Sequence, residues 1–354
     1  MKKALLLSFL LLNLITKSQR PTRPDTLWSF SIGYDIMMNP LLEDKFIYCG
    51  AGKGKMFCLE AETGKMKWEF QGTDGRKSGI YHGIKANAAS VFYNNGKNMF
   101  YCLNKETGKM NWQFPARFDD DIVTNIILTD KSVIFSGVDT NVYALDQING
   151  KVNWSWSNGT FVSPISGNEK SIFFFTKDSL FVCLDAKTGK ENCKIQLNSL
   201  PSLSRIYAYE NNAAFINREG KLEGVDLTKR KQTWLVDPCS KPKGEYFDRR
   251  TLFGNNEQAF VLTGEGIKTF DIKNGKLLWS YPGNFDWWLE PFFFGNKLYI
   301  YVRMENKLIA LDLKTGKELM KKGISGKSYT RVSVNEKMIF LGIEGKFFAI
   351  KNEF

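Results

Sequence analysis

A single histidine, His82, stands in a chain of 354 residues, and no Ser or Cys partner is evident for it. A hydrolase needs a nucleophile, a base and oxyanion donors in one place, and nothing in the sequence assembles them. The six cysteines, at 49, 58, 102, 183, 193 and 239, include no adjacent pair and no Cys-x-x-Cys-His run, which leaves no attachment for c-type haem. The acidic residues never take the Asp-x-Asp-x-Asp-Gly spacing of a calcium loop. Contiguous Asp119, Asp120 and Asp121 cannot all turn to one ion, so they read as a solvated loop. Past the first residues no apolar run reaches the roughly 18 to 20 residues of a membrane span. There is no basic run of the kind that grips nucleic acid either.

What is there begins with Met1-Lys2-Lys3, an apolar run from Ala4 to Ile15, and the small residues Thr16 and Ser18. This order reads as a secretory signal over residues 1–18, cleaved before Gln19, so the expectation is an exported protein, periplasmic or secreted. Gln19 and Arg20 stand where a lipid-attachment Cys would be. The formal charge is +12, and losing Lys2, Lys3 and Lys17 with the signal keeps it basic. That suits an anionic surface or partner, and equally an ordinary soluble exported protein.

The rest of the chain is a repeat. Residues 58–68 (CLEAETGKMKW), 102–112 (CLNKETGKMNW) and 144–154 (ALDQINGKVNW) are its clearest copies, with weaker ones beginning at Cys183, Gly224, Thr269, Ala310 and Ala349. The turn markers Gly64, Gly108, Gly150, Gly189, Arg230, Gly275 and Gly316 recur every 39 to 45 residues. Helical repeats of this length would space apolar residues three and four apart. Here they come in β-rich bursts such as Ser132-Val-Ile-Phe135 and Leu298-Tyr-Ile-Tyr-Val302. A period near 40 with four strands per unit predicts an all-β, eight-bladed β-propeller of antiparallel blades. The eighth unit stops after its third strand, and Leu27-Trp-Ser-Phe30 matches a fourth strand. The N-terminal strand near Trp28 is therefore expected to complete the C-terminal blade and close the ring. Residues 19–354 then form a single domain, expected to be monomeric.

Trp28, Trp68, Trp112, Trp154, Trp234 and Trp279 fall at one place in the fourth strands, where a large ring packs blade against blade. Cys193 and Met320 take that place in two units. Cys58, Cys102 and Cys183 share a third-strand position with Ala144, Ala310 and Ala349, which reads as small buried packing. Cys183 and Cys193 face each other across a hairpin, leaving both a disulfide and a pair of free thiols open.

The pattern Ala-x-Asp-x-x-Thr-Gly-x-x-x-Trp, clearest at 144–154, 183–193 and 310–320, resembles the tryptophan-docking repeat of the pyrroloquinoline-quinone (PQQ)-like propeller superfamily. The resemblance spans the mature chain and implies its fold. It implies one of two functions. Quinoprotein dehydrogenases of this superfamily hold PQQ and calcium on the propeller axis, but they typically pair adjacent cysteines above the quinone and carry long insertions that this chain lacks. The other branch is the β-propeller subunit of the outer-membrane β-barrel assembly machinery, which fits on length, export and blade count. The expectation is thus a non-enzymatic scaffold without a cofactor, binding a protein or envelope component. A PQQ-dependent dehydrogenase of reduced size is the alternative, and a glycan or peptide ligand in the central channel is a third reading.

In an up-and-down blade, the second turn and the blade-to-blade connections share one face. The long connections at 71–86, 115–122, 237–250 and 282–290 collect there, and variable loops on a rigid scaffold are where binding resides. Arg76, Lys77, Tyr81, His82, Lys85, Arg249, Arg250, Phe285, Trp287 and Trp288 are the candidate partner-binding residues, being of the types that anchor interfaces. The second-turn carboxylates Asp139, Asp178, Glu219, Glu265, Glu305 and Glu344 read as hairpin composition.

Overall fold

Turn chemistry sets each hairpin. Between the first and second strands the chain reverses through Asp44, Glu210, Asn256 and Gly295, whose φ values of 52°, 51°, 51° and 58° lie in the left-handed region. A computed structural model describes residues 25–353 apart from 34–38, 73–82, 96–97, 117–124, 138, 203–204, 240–249, 286–289, 325, 327 and 329. Its strands pair into eight four-stranded antiparallel sheets, the expected eight-bladed propeller, and no α-helix occurs among the described residues. No helix there is long and apolar enough to cross a membrane.

The seventh blade shows the plan, running through Phe292–Phe294, Lys297–Val302, Lys307–Asp312 and Glu318–Gly323. In the last blade the fourth place belongs to Thr26–Ser31, antiparallel to Lys346–Lys351, with Trp28 opposite Ala349 as Trp112 is opposite Cys102. The ring closes as the repeat phasing predicts.

Strand period explains the core. Ile47 and Cys49 pack toward the last blade, while Phe46 and Tyr48, one residue out of step, pack toward the second. Middle strands are thus buried on both faces and read as unbroken apolar runs. The core is divided among eight clusters, one at each blade-to-blade interface. Fourth strands are buried only at alternate positions. Cys58 and Cys102 are fully buried and Cys183 nearly so, consistent with a packing role.

Candidate functional site

The six tryptophans of the repeat position are fasteners. Each indole Nε1 donates to a carbonyl of the following blade: Trp28 to Ala61 at 2.9 Å, Trp68 to Lys105 at 3.0 Å, Trp112 to Gln147 at 3.1 Å, Trp154 to Ala186 at 3.2 Å, Trp234 to Ile272 at 3.1 Å, and Trp279 to Leu313 at 3.0 Å. The ring lies flat on the glycine of that blade's Thr-Gly or Asn-Gly turn. A Cβ on Gly108, for instance, would stand 2.5 Å from Trp68 Cδ2. The one such turn without glycine carries Arg230, at φ 53°, and the residue facing it is Cys193 instead of a tryptophan. The Arg230 guanidinium donates to the Asn192 carbonyl at 3.1 Å. Cys193 stands opposite Cys183 in the register, and both are free thiols.

Of the loop residues named from sequence, Arg76, Lys77, Tyr81, His82, Arg249, Trp287 and Trp288 lie outside the described residues. The other three separate. Phe285 is 6% exposed, set beside Tyr281 in the cluster between the sixth and seventh blades. Arg250 is likewise drawn in. Its side chain donates to the Gly220 carbonyl and meets Asp237 at 3.3 Å, tying the fifth blade to the sixth.

Lys85 goes to the axis. First strands of neighbouring blades touch, as Leu41–Glu43 does Ser333–Val334, and therefore surround the central channel. Where they begin, a well of about 400 Å³ opens, with residues of seven blades in its wall. Arg205, Glu290 and Arg331 enter it, each two residues ahead of an equivalent first-strand position. Arg205 pairs with one oxygen of Glu290, and Arg331 Nη1 lies 3.4 Å from the other. Arg331 also rests on the Phe292 ring at 5.8 Å and leaves its Nε buried without a hydrogen-bond partner. Lys85 is reached by solvent but enclosed by protein on most sides. Loss of hydration lowers its ammonium pKa, and Arg331 and Arg205 lower it further, while Glu290 and the more remote Glu43 oppose them. Burial also lowers Arg331, opposed by Glu290.

Sequence reasoning placed Lys85 in a binding loop and missed its three companions. The signal was their phase: charged residues at one repeat position just ahead of the first strand. That strand is too short and irregular for periodicity to announce it.

The donor set of the well suits an anion. Glu290 is the only carboxylate among the described lining residues, and both its oxygens already face guanidiniums. Calcium needs about six to eight oxygen ligands, so a quinone–calcium pair does not fit these residues. Elsewhere, no three His, Cys, Asp or Glu side chains gather in metal-binding fashion among the described residues.

No curated protein matches this sequence. Among solved structures, the computationally designed Ika8 protein superposes with a TM-score of 0.73 at 14% identity, over 93% of this chain and 100% of its own. BamB from Moraxella catarrhalis gives 0.66 at 13% identity, over 93% and 97%. Quinohemoprotein alcohol dehydrogenase from Comamonas testosteroni gives 0.66 at 12%, over 92% of this chain but 76% of the dehydrogenase. At these identities the likeness establishes the fold alone. The family profile described as outer membrane protein assembly factor BamB matches residues 72–167 and 263–350, more than half of the sequence. With its repeat, closed ring and docking tryptophans, this chain belongs to that family of PQQ-like β-propellers.

Proposed function

We propose that this protein is an exported, non-enzymatic scaffold that binds a protein or envelope partner, in the manner of an outer-membrane assembly factor. The observation that carries the reading is the family match together with extent: the chain covers 97% of BamB but 76% of the dehydrogenase. Its repeat motif is spent on blade docking, which leaves the connecting loops for recognition. The partner docks on the face where those loops gather, with Trp287 and Trp288 as anchors.

In-cell photocrosslinking from position 287 tests this, with a discrete protein adduct as the expected result. Reconstitution with PQQ and calcium is the opposing test. A bound quinone spectrum with dye-linked alcohol or sugar oxidation would overturn the scaffold reading.

A further inference from the structure

We infer that the axial well is a binding site for a small organic carboxylate, its acid group received by Lys85 with Arg205 and Arg331, and its body held against Ile127, Tyr207, Phe253 and Phe293. The assignment is independent of the partner on the loop face.

Charge is the first support. The described lining holds three cations and one anion, and the anion is shared between the two arginines. The Lys85 ammonium makes no hydrogen bond or ion pair with any described residue, although it faces both guanidiniums across the same enclosure. Like charges confined in a partly desolvated space repel, and an added carboxylate relieves that repulsion. The arginines show the recognition in miniature, since they already hold one carboxylate between them.

Shape and chemistry are the second support. Ile127, Tyr207 and Phe253 stand at the repeat position that Lys85 occupies in its own blade, and each lines the well while leaning on the blade that follows. The lining is mostly polar but sets Ile127, Tyr207, Phe253 and Phe293 beside the cations, an arrangement in which polar groups fix the orientation of an organic acid and an apolar patch meets its body. The shifted pKa of Lys85 fits a functional cleft. A bare phosphate would fill the charge and leave those walls unused.

Titration calorimetry on the full mature chain at low salt tests the assignment, with citrate as the free-acid probe and Gly-Asp-Glu as the peptide probe. Either binds and its neutral counterpart, trimethyl citrate or N-acetylated, C-amidated Gly-Asn-Gln, does not; which of the two binds tells a free acid from a carboxylate presented by a chain. Lys85→Gln weakens the bound probe at least about tenfold and leaves the thermal midpoint of the free protein unchanged or higher, because it removes a charge that Arg205 and Arg331 repel. Glu290→Gln acts in reverse, tightening the probe by removing the competing carboxylate. Inorganic phosphate binding as tightly as the carboxylates overturns the organic-acid assignment. Failure of both probes to bind, or binding indifferent to Lys85→Gln, overturns the site itself. Neither result bears on crosslinking from position 287.

Discussion

Replacing Gly108 by alanine isolates what the docking contact contributes. Gly108 sits at φ +69°, and a Cβ there would meet Trp68 Cδ2 at 2.5 Å, Cε3 at 2.7 Å and Cγ at 2.8 Å. Backbone strain alone costs about 1–2 kcal/mol for a residue with a Cβ in the left-handed region. The ring must also lift, breaking the 3.0 Å bond from Trp68 Nε1 to the Lys105 carbonyl. Leaving that indole N–H buried and unpaired adds about 1–3 kcal/mol. The expected total is roughly 3 kcal/mol or more. Gly295→Ala is the control, for Gly295 has φ +58° with nothing within 4 Å of the added atom, and the equivalent turns already carry Asp44, Glu210 and Asn256. It should cost the strain alone, about 1–2 kcal/mol. Urea denaturation followed by far-UV circular dichroism compares the two. Repeating Gly108→Ala in a Trp68→Ala background should shrink its cost to strain alone, a coupling of about 2 kcal/mol. Equal losses for Gly108→Ala and Gly295→Ala, or no coupling to Trp68, would refute the docking argument.

The blade without a tryptophan gives the converse. Cys193→Trp alone should destabilise by about 1–3 kcal/mol through overpacking against Arg230. Cys193→Trp with Arg230→Gly should recover that loss in thermal melts, with the indole donating to the Leu227 carbonyl. Alkaline titration should also destabilise the fold. Burial raises Cys58 from 9.0 to about 12, and burial with the Asp139 hydrogen bond raises Tyr143 from 10.0 to about 12. A raised folded-state pKa means stability is intact below the unfolded value and lost as pH rises through the folded one. Thermal midpoints should therefore fall progressively from about pH 9 to 12; a flat profile there would contradict the burial of these groups. At the acid end, hydrogen bonds from the Thr315 hydroxyl and from the Thr315 and Lys314 amides hold Asp312 below its ordinary value. That contribution is present above about pH 4 and lost below it, so Asp312→Ala should lower the midpoint at pH 7 and make little difference at pH 2.

The blades were legible because their chemistry is local. Thr-Gly and Asn-Gly turns announce hairpins, a tryptophan recurs in register, and middle strands buried on both faces show as apolar bursts, so the ring and even the closing role of Thr26–Ser31 could be phased from residue numbers. The well was not legible. Arg205, Glu290, Arg331 and Lys85 come from four blades and meet only because the ring curves them onto one axis. Phe285 and Arg250 carried an interface-like composition, but the same aromatic area and guanidinium fork serve a core cluster and a tie between blades. Residue type alone does not separate those uses.

Closure by Thr26–Ser31 also orders events in time. This strand emerges from the ribosome among the first of the described residues, and its partner Lys346–Lys351 among the last. Until they meet, the last blade presents a raw edge, and Trp28 has only the Ala61 side of its berth. Joining segments about 320 residues apart carries a loop-closure entropy that earlier blade-to-blade stacking must already have reduced. The clasp is thus a completion signal: a chain truncated before its last strand keeps an unsatisfied sheet edge at both ends of the arc, the feature that quality-control proteases and chaperones are placed to recognise.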